Sequence, residues 1–168
     1  WAPFMLPPRL PTCAGGDAAA FCNFASISGL MRNTACKIRS AKLKDGANAG
    51  ERLVAQPSGD TAATGVLGAG LSVEDGYAAA RDCAAKILNS VHNAHGTING
   101  LKVIKLLGCV YSAPDFTDQH LVINGASDLL HEIYGKDGDG YHARSALGFA
   151  ALPTGAAVEV EAIFEIIS

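Results

Sequence analysis

The feature that most constrains this chain is an alternating run close to the C-terminal end of the sequence, residues 156–167. Successive side chains of a β-strand point to opposite faces of the sheet, so every second residue shares a face. One face is apolar and consists of Val158, Val160, Ala162, Phe164 and Ile166. The other face carries Glu159, Glu161, Ile163, Glu165 and Ile167. The run therefore predicts a strand with a hydrophobic core on one side and two neighbouring glutamates on the other.

A second strand-like run, residues 143–152, precedes the first and is joined to it by the turn sequence Pro-Thr-Gly. Two runs joined by a short turn predict a β-hairpin, in which Arg144 would lie near Glu159 and Glu161. An arginine fork suits bidentate binding of a planar carboxylate, which would make this place a ligand site. A structural ion pair explains the same pattern, and the residues alone leave both interpretations open.

Two segments have the period of amphipathic helices. Ser72 predicts a helix N-cap, with Glu74 and Asp75 in the first turn and an apolar stripe behind them. A second helix is predicted from about residue 118 to 134, and a buried strand over residues 100–112 lies between the two helices. This order predicts an α+β fold, a mixed sheet with two helices packed on one face. Because the helices cover one face only, we expect subunit association to cover the other.

The composition is that of a globular chain with a single domain, residues 1–168. Hydrophobic residues make up 49% of the chain and charged residues 17%, which excludes a disordered protein. The formal net charge of −3 argues against nucleic acid as a partner, because proteins that bind nucleic acid present a basic surface. No run is apolar and long enough to predict a membrane span.

The five cysteines are scattered and never spaced C-x-x-C. Such a pattern is typical of reduced thiols rather than of a disulfide scaffold or a zinc site. The first residues, Trp-Ala-Pro-Phe-Met, lack the basic and apolar regions of a secretory signal. From the thiols alone we expect an intracellular protein, cytoplasmic in the first place, with the mitochondrion as the alternative.

Three short motifs suggest a cofactor or a metal, but each lacks an essential part. The glycine-rich run 65–70 lacks the Gly-Lys-Ser/Thr of a phosphate loop and the glycine order of a dinucleotide fold. His92 and His95 have no third ligand nearby, and residues 137–140 lack the glutamate that completes a calcium loop, since the required position holds Gly148. We expect neither a metal nor a cofactor.

Four segments in one order resemble a known family. They are residues 71–81 (LSVEDGYAAAR), 122–127 (VINGAS), 142–148 (HARSALG) and 152–163, which contains Leu-Pro and VEVEAI. This order resembles the Rid family, the YjgF-like reactive-intermediate deaminases that are often labelled endoribonuclease L-PSP. One such motif is weak, whereas four in the same order are specific.

The resemblance implies a chorismate-mutase-like fold that assembles as a homotrimer, with a cleft between each pair of subunits. It also implies a small-molecule carboxylate as substrate. Residues 5–29 correspond to an N-terminal arm and first strand, and residues 72–168 match the family best. Residues 32–64 are polar and the least similar to the family, and we expect them to form a solvated surface insertion, in which residues 51–55 could pair as a short strand.

The family pattern also assigns roles to residues of this chain. An arginine in the Ala-Arg-Ser segment binds the substrate carboxylate in that family, and this position falls on Arg144. A glutamate of the Glu-x-Glu strand lies beside the hydrolytic water, and this position falls on Glu159. Glu161 shares the face of Glu159 and is the second candidate carboxylate. Arg144 and Glu159 are therefore the expected catalytic residues.

Backbone groups complete the implied substrate site. They fall on Ser28 and Gly29, and on Ala146, where the family often has cysteine. The chain departs from the family at Gly15, where many members have tyrosine, and at Leu30, where they have glutamine. Both positions shape the pocket in that family, so these departures put the identity of the substrate in question.

The implied activity is hydrolysis of reactive enamine or imine intermediates of amino-acid metabolism to 2-oxo acids and ammonia. A trimer that binds 2-oxo acids without turnover is the alternative, and the substitutions at Gly15 and Leu30 favour it. The third interpretation is an endoribonuclease that cuts single-stranded RNA, which needs a phosphate-binding surface and an acid–base pair. The net charge and the scattered histidines are unfavourable for that activity.

Overall fold

The computed structural model describes residues 37–41, 52–56 and 63–167, which all fall within one compact unit, Met31–Ser168. The expected arm and first strand, residues 5–29, lie outside these ranges. The described residues form strands and two long helices, and the predicted α+β fold class is confirmed.

The first helix, α1, spans Val73–His95 and begins where the sequence predicts. The hydroxyl of the N-cap residue Ser72 accepts a hydrogen bond from the Asp75 N–H at 3.1 Å, and the Asp75 carboxylate accepts one from the Ser72 N–H at 3.0 Å. These two bonds form a capping box, which satisfies backbone donors that the helix itself cannot pair. At the other end Gly96 has a φ of 85°, a left-handed conformation that glycine adopts without strain.

The second helix, α2, spans Gln119–Tyr134 and crosses α1 at very short range. A Cβ added to Gly125 would clash with the carbonyl oxygen of Tyr77 and would lie 3.1 Å from the amide nitrogen of Arg81. The absence of a side chain at this position therefore allows the two helix backbones to touch. Beside the crossing, the Tyr77 hydroxyl donates to the Asp128 carboxylate at 2.9 Å.

The described ranges contain seven strands besides the helices. They are β1 Lys37–Ala41, β2 Arg52–Gln56, β3 Val66–Leu67, β4 Gly70–Leu71, β5 Leu101–Tyr111, β6 Ala143–Phe149 and β7 Val158–Ile166. Five of them form one mixed sheet in the order β1-β2-β7-β5-β6, and β3 and β4 form a separate pair. Neighbours in the large sheet are antiparallel except β5 and β6, which are parallel.

Burial separates the two faces of the large sheet. On one face the side chains are fully or almost fully buried: Val158, Val160, Ala162 and Phe164 of β7 and Val103, Leu106 and Val110 of β5. Because α1 packs on β7 and α2 packs on β5 and β6, we call this the helix face. The alternate residues are partly exposed and form what we call the open face. The predicted alternation of β7 and the packing of both helices on one face are confirmed.

The predicted hairpin between residues 143–152 and 156–167 is wrong. The two strands are not neighbours, because β5 lies between β6 and β7 and pairs with both. Between them Pro153–Gly155 forms a short 3-10 turn rather than a hairpin turn. The physical reason is that α2 connects β5 to a parallel β6 in a βαβ unit, which gives the long apolar strand β5 a partner on each side.

The prediction of a solvated insertion over residues 32–64 is also wrong for the two segments of it that lie in the large sheet. β1 and β2 pair with each other, and β2 pairs with β7. Leu53 and Ala55 of β2 are buried, with 4% and 0% of their surface exposed. The short strand considered for residues 51–55 is present as β2, whereas β1 was not predicted, because Ile38 is its one large apolar residue.

Candidate functional site

Arg144 lies on the helix face of the edge strand β6, beneath α2. Its Nη1 donates to the side-chain oxygen of Asn124 at 2.8 Å and to the Ser127 hydroxyl at 3.1 Å. Asn124 and Ser127 are three positions apart on α2 and therefore project from the same side of that helix. Within the described part of the chain, Nη2 and Nε form no hydrogen bond. The half-exposed guanidinium is thus held by one nitrogen and keeps further donors for a ligand.

His142 extends this network. Its Nε2 lies 3.0 Å from the Ser127 hydroxyl, and its Nδ1 lies 2.5 Å from the Gly140 carbonyl oxygen. The ring of His131 lies beside it, with the centroids 5.1 Å apart. Burial lowers the pKa of His142, the Gly140 hydrogen bond opposes that effect, and the nearby His131 and Arg144 add to it. We call the following residues the Arg144 cluster: Asn124, Ser127, His142 and Arg144.

A strip of small residues continues from this cluster along the same face of β6. Ala146 and Gly148 follow Arg144 at every second position. A Cβ added to Gly148 would lie 2.8 Å from both the Gln119 side-chain nitrogen and the Ser112 hydroxyl. The strip therefore runs from the Arg144 guanidinium to Gln119 at the start of α2. A ligand bound along it would contact the backbone and small side chains of β6.

Glu159 and Glu161 lie on the open face of β7. In the register of the sheet they are opposite Cys109 and Leu107 of β5. Burial raises the pKa of Glu159 above its ordinary value. The pKa of the Cys109 thiol is raised by burial and then by the charges of Glu159 and Glu161, which fits its place beside both carboxylates. A carboxylate with a raised pKa is a stronger base once ionised, as a residue that activates water requires.

Arg144 and Glu159 do not meet within one chain. Arg144 pairs in register with Leu106 of β5, whereas Glu159 pairs with Cys109, and two strand spacings separate β6 from β7. Strand spacing and rise place the two Cα atoms roughly 14 Å apart. Their side chains also point to opposite faces, since Arg144 contacts α2 while Glu159 shares a face with Cys109. The predicted proximity of the arginine and the glutamates is therefore wrong for a single chain.

The open face close to the edge strand combines a polar pair with exposed apolar side chains. The Lys105 ammonium donates to the Ser145 hydroxyl at 2.7 Å across β5 and β6. Leu147 and Phe149, on the same face of β6, expose 47% and 40% of their surface. Apolar side chains that lie together in solvent are typical of a contact surface.

The structure sorts the predicted site residues into two groups. Arg144 and Ala146 share the helix face of β6, and Glu159 and Glu161 share the open face of β7. Ser28 and Gly29 lie outside the described residues. The roles assigned to all six residues stay predictions.

The partners of Arg144 on α2 and the histidine beside them were not predicted from the sequence. Asn124 and Ser127 carry a recognisable signal, because they are polar residues at helical spacing within an otherwise apolar stretch. His142 carries none, since only the turn before β6 brings its ring back to Ser127.

Two further findings concern metal binding and membrane-spanning helices among the described residues. Across residues 37–41, 52–56 and 63–167, no three His, Cys, Asp or Glu side chains are grouped to hold a metal ion. The aspartates of the turn Gly135–Asp139 do not form such a group either. None of the described helices is long and apolar enough to cross a membrane.

Comparison with solved structures identifies the fold and the family. The protein Atu1372 of Agrobacterium tumefaciens, whose function is unknown, is 35% identical; the match covers 89% of this chain and 97% of that one, with a TM-score of 0.69. A candidate endoribonuclease from Shewanella oneidensis is 23% identical and matches in fold, with a TM-score of 0.66 over 86% of this chain and 97% of that one. The chain belongs to the YjgF-like family.

A further relative of this YjgF-like chain is protein TCP17 of Trypanosoma cruzi, 49% identical over 104 residues. The match covers 61% of this chain and 64% of that protein, which is less than two thirds of its length. A comparison with models of known protein families gives no match. Neither Atu1372 nor TCP17 has a name that specifies a reaction, so the activity has to be argued from the site.

Proposed function

We propose that this YjgF-like protein hydrolyses reactive enamines and imines derived from amino acids to 2-oxo acids and ammonia. The observation that carries the proposal is the fixed guanidinium of Arg144, which is bound through Nη1 by Asn124 and Ser127. Nη2 and Nε then offer two roughly parallel donors, the arrangement that binds a carboxylate in bidentate fashion. An imine of a 2-oxo acid carries such a carboxylate next to its reactive carbon.

The reaction needs little more than placement of the substrate and of one water molecule. Protonation of the enamine carbon by solvent gives the iminium ion, whose carbon is electrophilic. Glu159 takes a proton from water as the water oxygen bonds to that carbon, which gives a tetrahedral carbinolamine. Glu159 returns this proton to the nitrogen, and ammonia leaves as the C–N bond breaks and the C=O bond forms. The hydroxyl proton goes back to solvent in place of the one that the carbon took up, so the carboxylate is restored. The raised pKa of Glu159 supports this role, because it strengthens the ionised carboxylate as a base.

The substrate would lie between two copies of the chain. Arg144 and Glu159 lie on different faces of the sheet, so a single copy cannot bring both to one small molecule. A cleft between copies resolves this if the Arg144 strip of one copy faces the Glu159 surface of the next. Exposed Leu147 and Phe149 support association through this region of the sheet. We propose the homotrimer that the family resemblance implies, with such a cleft at each contact.

The direct test follows the decay of 2-aminoacrylate, generated in situ, and the release of ammonia. Wild type is expected to accelerate the decay, whereas Arg144→Ala is expected to lose the acceleration because it no longer binds the substrate carboxylate. Arg81→Ala is the matched control, since Arg81 forms its ion pair with Glu132 on the surface of the helices. No acceleration by wild type across several imines would contradict the proposed activity.

A binding protein without turnover is the second candidate. The departures at Gly15 and Leu30 favour it, because both alter positions that shape the pocket in the family. Binding of pyruvate by wild type but not by Arg144→Ala, together with the absence of ammonia release, would establish this alternative.

RNA cleavage is suggested by the description of the Shewanella structure, which is 23% identical and resembles this chain in fold. The net charge of −3 is unfavourable for a phosphate-binding surface. Incubation with single-stranded RNA and comparison of wild type with Arg144→Ala tests it, and intact RNA in both samples would exclude it.

A further inference from the structure

The hydrogen bonds of the Arg144 cluster form a series in which each donor and acceptor can be assigned. It begins at the Gly140 carbonyl oxygen, which can only accept, so the His142 Nδ1 that lies 2.5 Å away must carry the proton. In a neutral imidazole the other nitrogen is then an acceptor, and the Ser127 hydroxyl at 3.0 Å must donate to Nε2. With its proton directed to His142, the Ser127 oxygen presents its lone pairs to Arg144.

The last hydrogen bond of this series joins Ser127 to Arg144, the residue proposed to bind the substrate. Arg144 has donors only, and its Nη1 lies 3.1 Å from the Ser127 oxygen. If the Ser127 proton pointed to Arg144 instead, two hydrogens would face each other and the bond would be lost. The imidazole of His142 therefore gives the Ser127 proton an acceptor away from the guanidinium, which leaves the Ser127 oxygen free to accept from Arg144.

The surroundings keep this arrangement in place. Ser127 exposes only 5% of its surface, so solvent is a poor substitute for its partners. The groups facing His142 are His131 of α2 on one side and Arg144 of β6 on the other, and both disfavour a positive charge on the ring. A neutral His142 is thus the form that the packing favours.

We propose that Ser127 and His142 are positioning residues for Arg144. They do not touch the substrate; they orient the guanidinium so that Nη2 and Nε face the carboxylate, while Asn124 holds Nη1 from the same helix. This inference rests on the proposed function of Arg144 as the carboxylate anchor. The role assigned to Ser127 and His142 concerns the affinity for the substrate carboxylate and not the hydrolysis step.

The test measures carboxylate binding separately from turnover. Calorimetric titration with pyruvate gives the dissociation constant, and the 2-aminoacrylate assay gives KM and kcat. Ser127→Ala is expected to raise both the dissociation constant and KM about five- to tenfold, the loss typical of one ordinary hydrogen bond. The kcat is expected to change little, because the carboxylate keeps its charge throughout the reaction and its binding is uniform.

A pair of substitutions at His142 separates hydrogen bonding from packing. His142→Gln retains an acceptor near the Nε2 position and is expected to bind pyruvate almost as wild type does. His142→Leu has a similar volume without an acceptor and is expected to match the weakened binding of Ser127→Ala. Ser90→Ala is the matched serine control, because the Ser90 hydroxyl bonds only to the Lys86 carbonyl of its own helix among the described residues.

The outcomes separate this inference from the proposed function. Pyruvate binding that weakens in Ser127→Ala, in a protein that hydrolyses no imine, would support the positioning role and overturn the activity. Unchanged pyruvate binding and KM in both Ser127→Ala and His142→Leu would overturn the positioning role while leaving hydrolysis intact. Failure of His142→Gln to retain binding would overturn the part of the inference that depends on the Ser127 proton.

Discussion

Two inactive variants should restore activity to each other if the substrate lies between copies of the chain. Arg144→Ala removes the carboxylate anchor, and Glu159→Gln removes the base while keeping the shape of the side chain. In one chain the two Cα atoms lie roughly 14 Å apart, from strand spacing and rise, and the side chains leave opposite faces of the sheet. A site that needs both residues must therefore take them from different copies.

The size of the recovery follows from this arrangement. An intact site takes its arginine from a Glu159→Gln copy and its glutamate from an Arg144→Ala copy. The doubly tagged trimers all contain both variants, and around a ring of three copies one contact in three then has this pairing, so about one third of the sites are intact. Loss of a general base alone lowers a rate about 10²- to 10⁴-fold, so a recovery to about a third of the wild-type rate is easily distinguished from either variant alone.

The assay requires assemblies that contain both variants. Differently tagged chains are expressed together, purified through both tags in succession, and compared with each variant in the 2-aminoacrylate assay. A chain that carries both substitutions, mixed with Glu159→Gln, is the control because no pairing of these chains restores a glutamate beside an arginine. If doubly tagged assemblies show no recovery, a shared cleft is refuted, and Arg144 and Glu159 do not act on one substrate between copies.

Two further predictions concern the scaffold of the site. Gly125→Ala should destabilise the fold by about 3 kcal/mol, because the new Cβ meets the backbone of α1 and not a flexible side chain. Gly138→Ala is the control and should change the free energy of unfolding little, because open space surrounds Gly138. Urea unfolding of both variants measures the difference. Stability should also fall as the pH drops through 6.5, the ordinary pKa of histidine, because the unfolded chain then takes up a proton that half-buried His142 resists. His142→Gln should remove this part of the dependence of Tm on pH, and equal slopes in both proteins would contradict the burial of a neutral imidazole.

The sequence predicts the scaffold well where the signals are long. The capping residues of α1 and the alternation of β7 are local, and each repeats over enough positions to specify an element and the face that it buries. The order of the strands is not local. A turn between β6 and β7 predicts that the strands are neighbours, but pairing depends on which strands α2 brings together, and β5 takes the place between them.

The candidate site shows the same limit. Arg144 could be chosen from its sequence surroundings, yet the face on which it lies depends on the register of β6 against β5. A shift of one residue in that register would turn Arg144 to the other face and change its possible partners. The partners that hold its guanidinium, Asn124 and Ser127, come from a helix about twenty residues earlier, and no pattern of two residues predicts such a contact.

The position of β7 has a consequence for how the chain is made. This strand follows all the other described strands in the sequence, yet it lies in the middle of the sheet, between β2 and β5. Before β7 is available, the described strands can pair only as β1 with β2 and as β5 with β6, so the edges of β2 and β5 that β7 covers in the folded sheet have no partner. Such edges readily pair with other chains, so the interval before β7 emerges is when a nascent chain is most prone to aggregate.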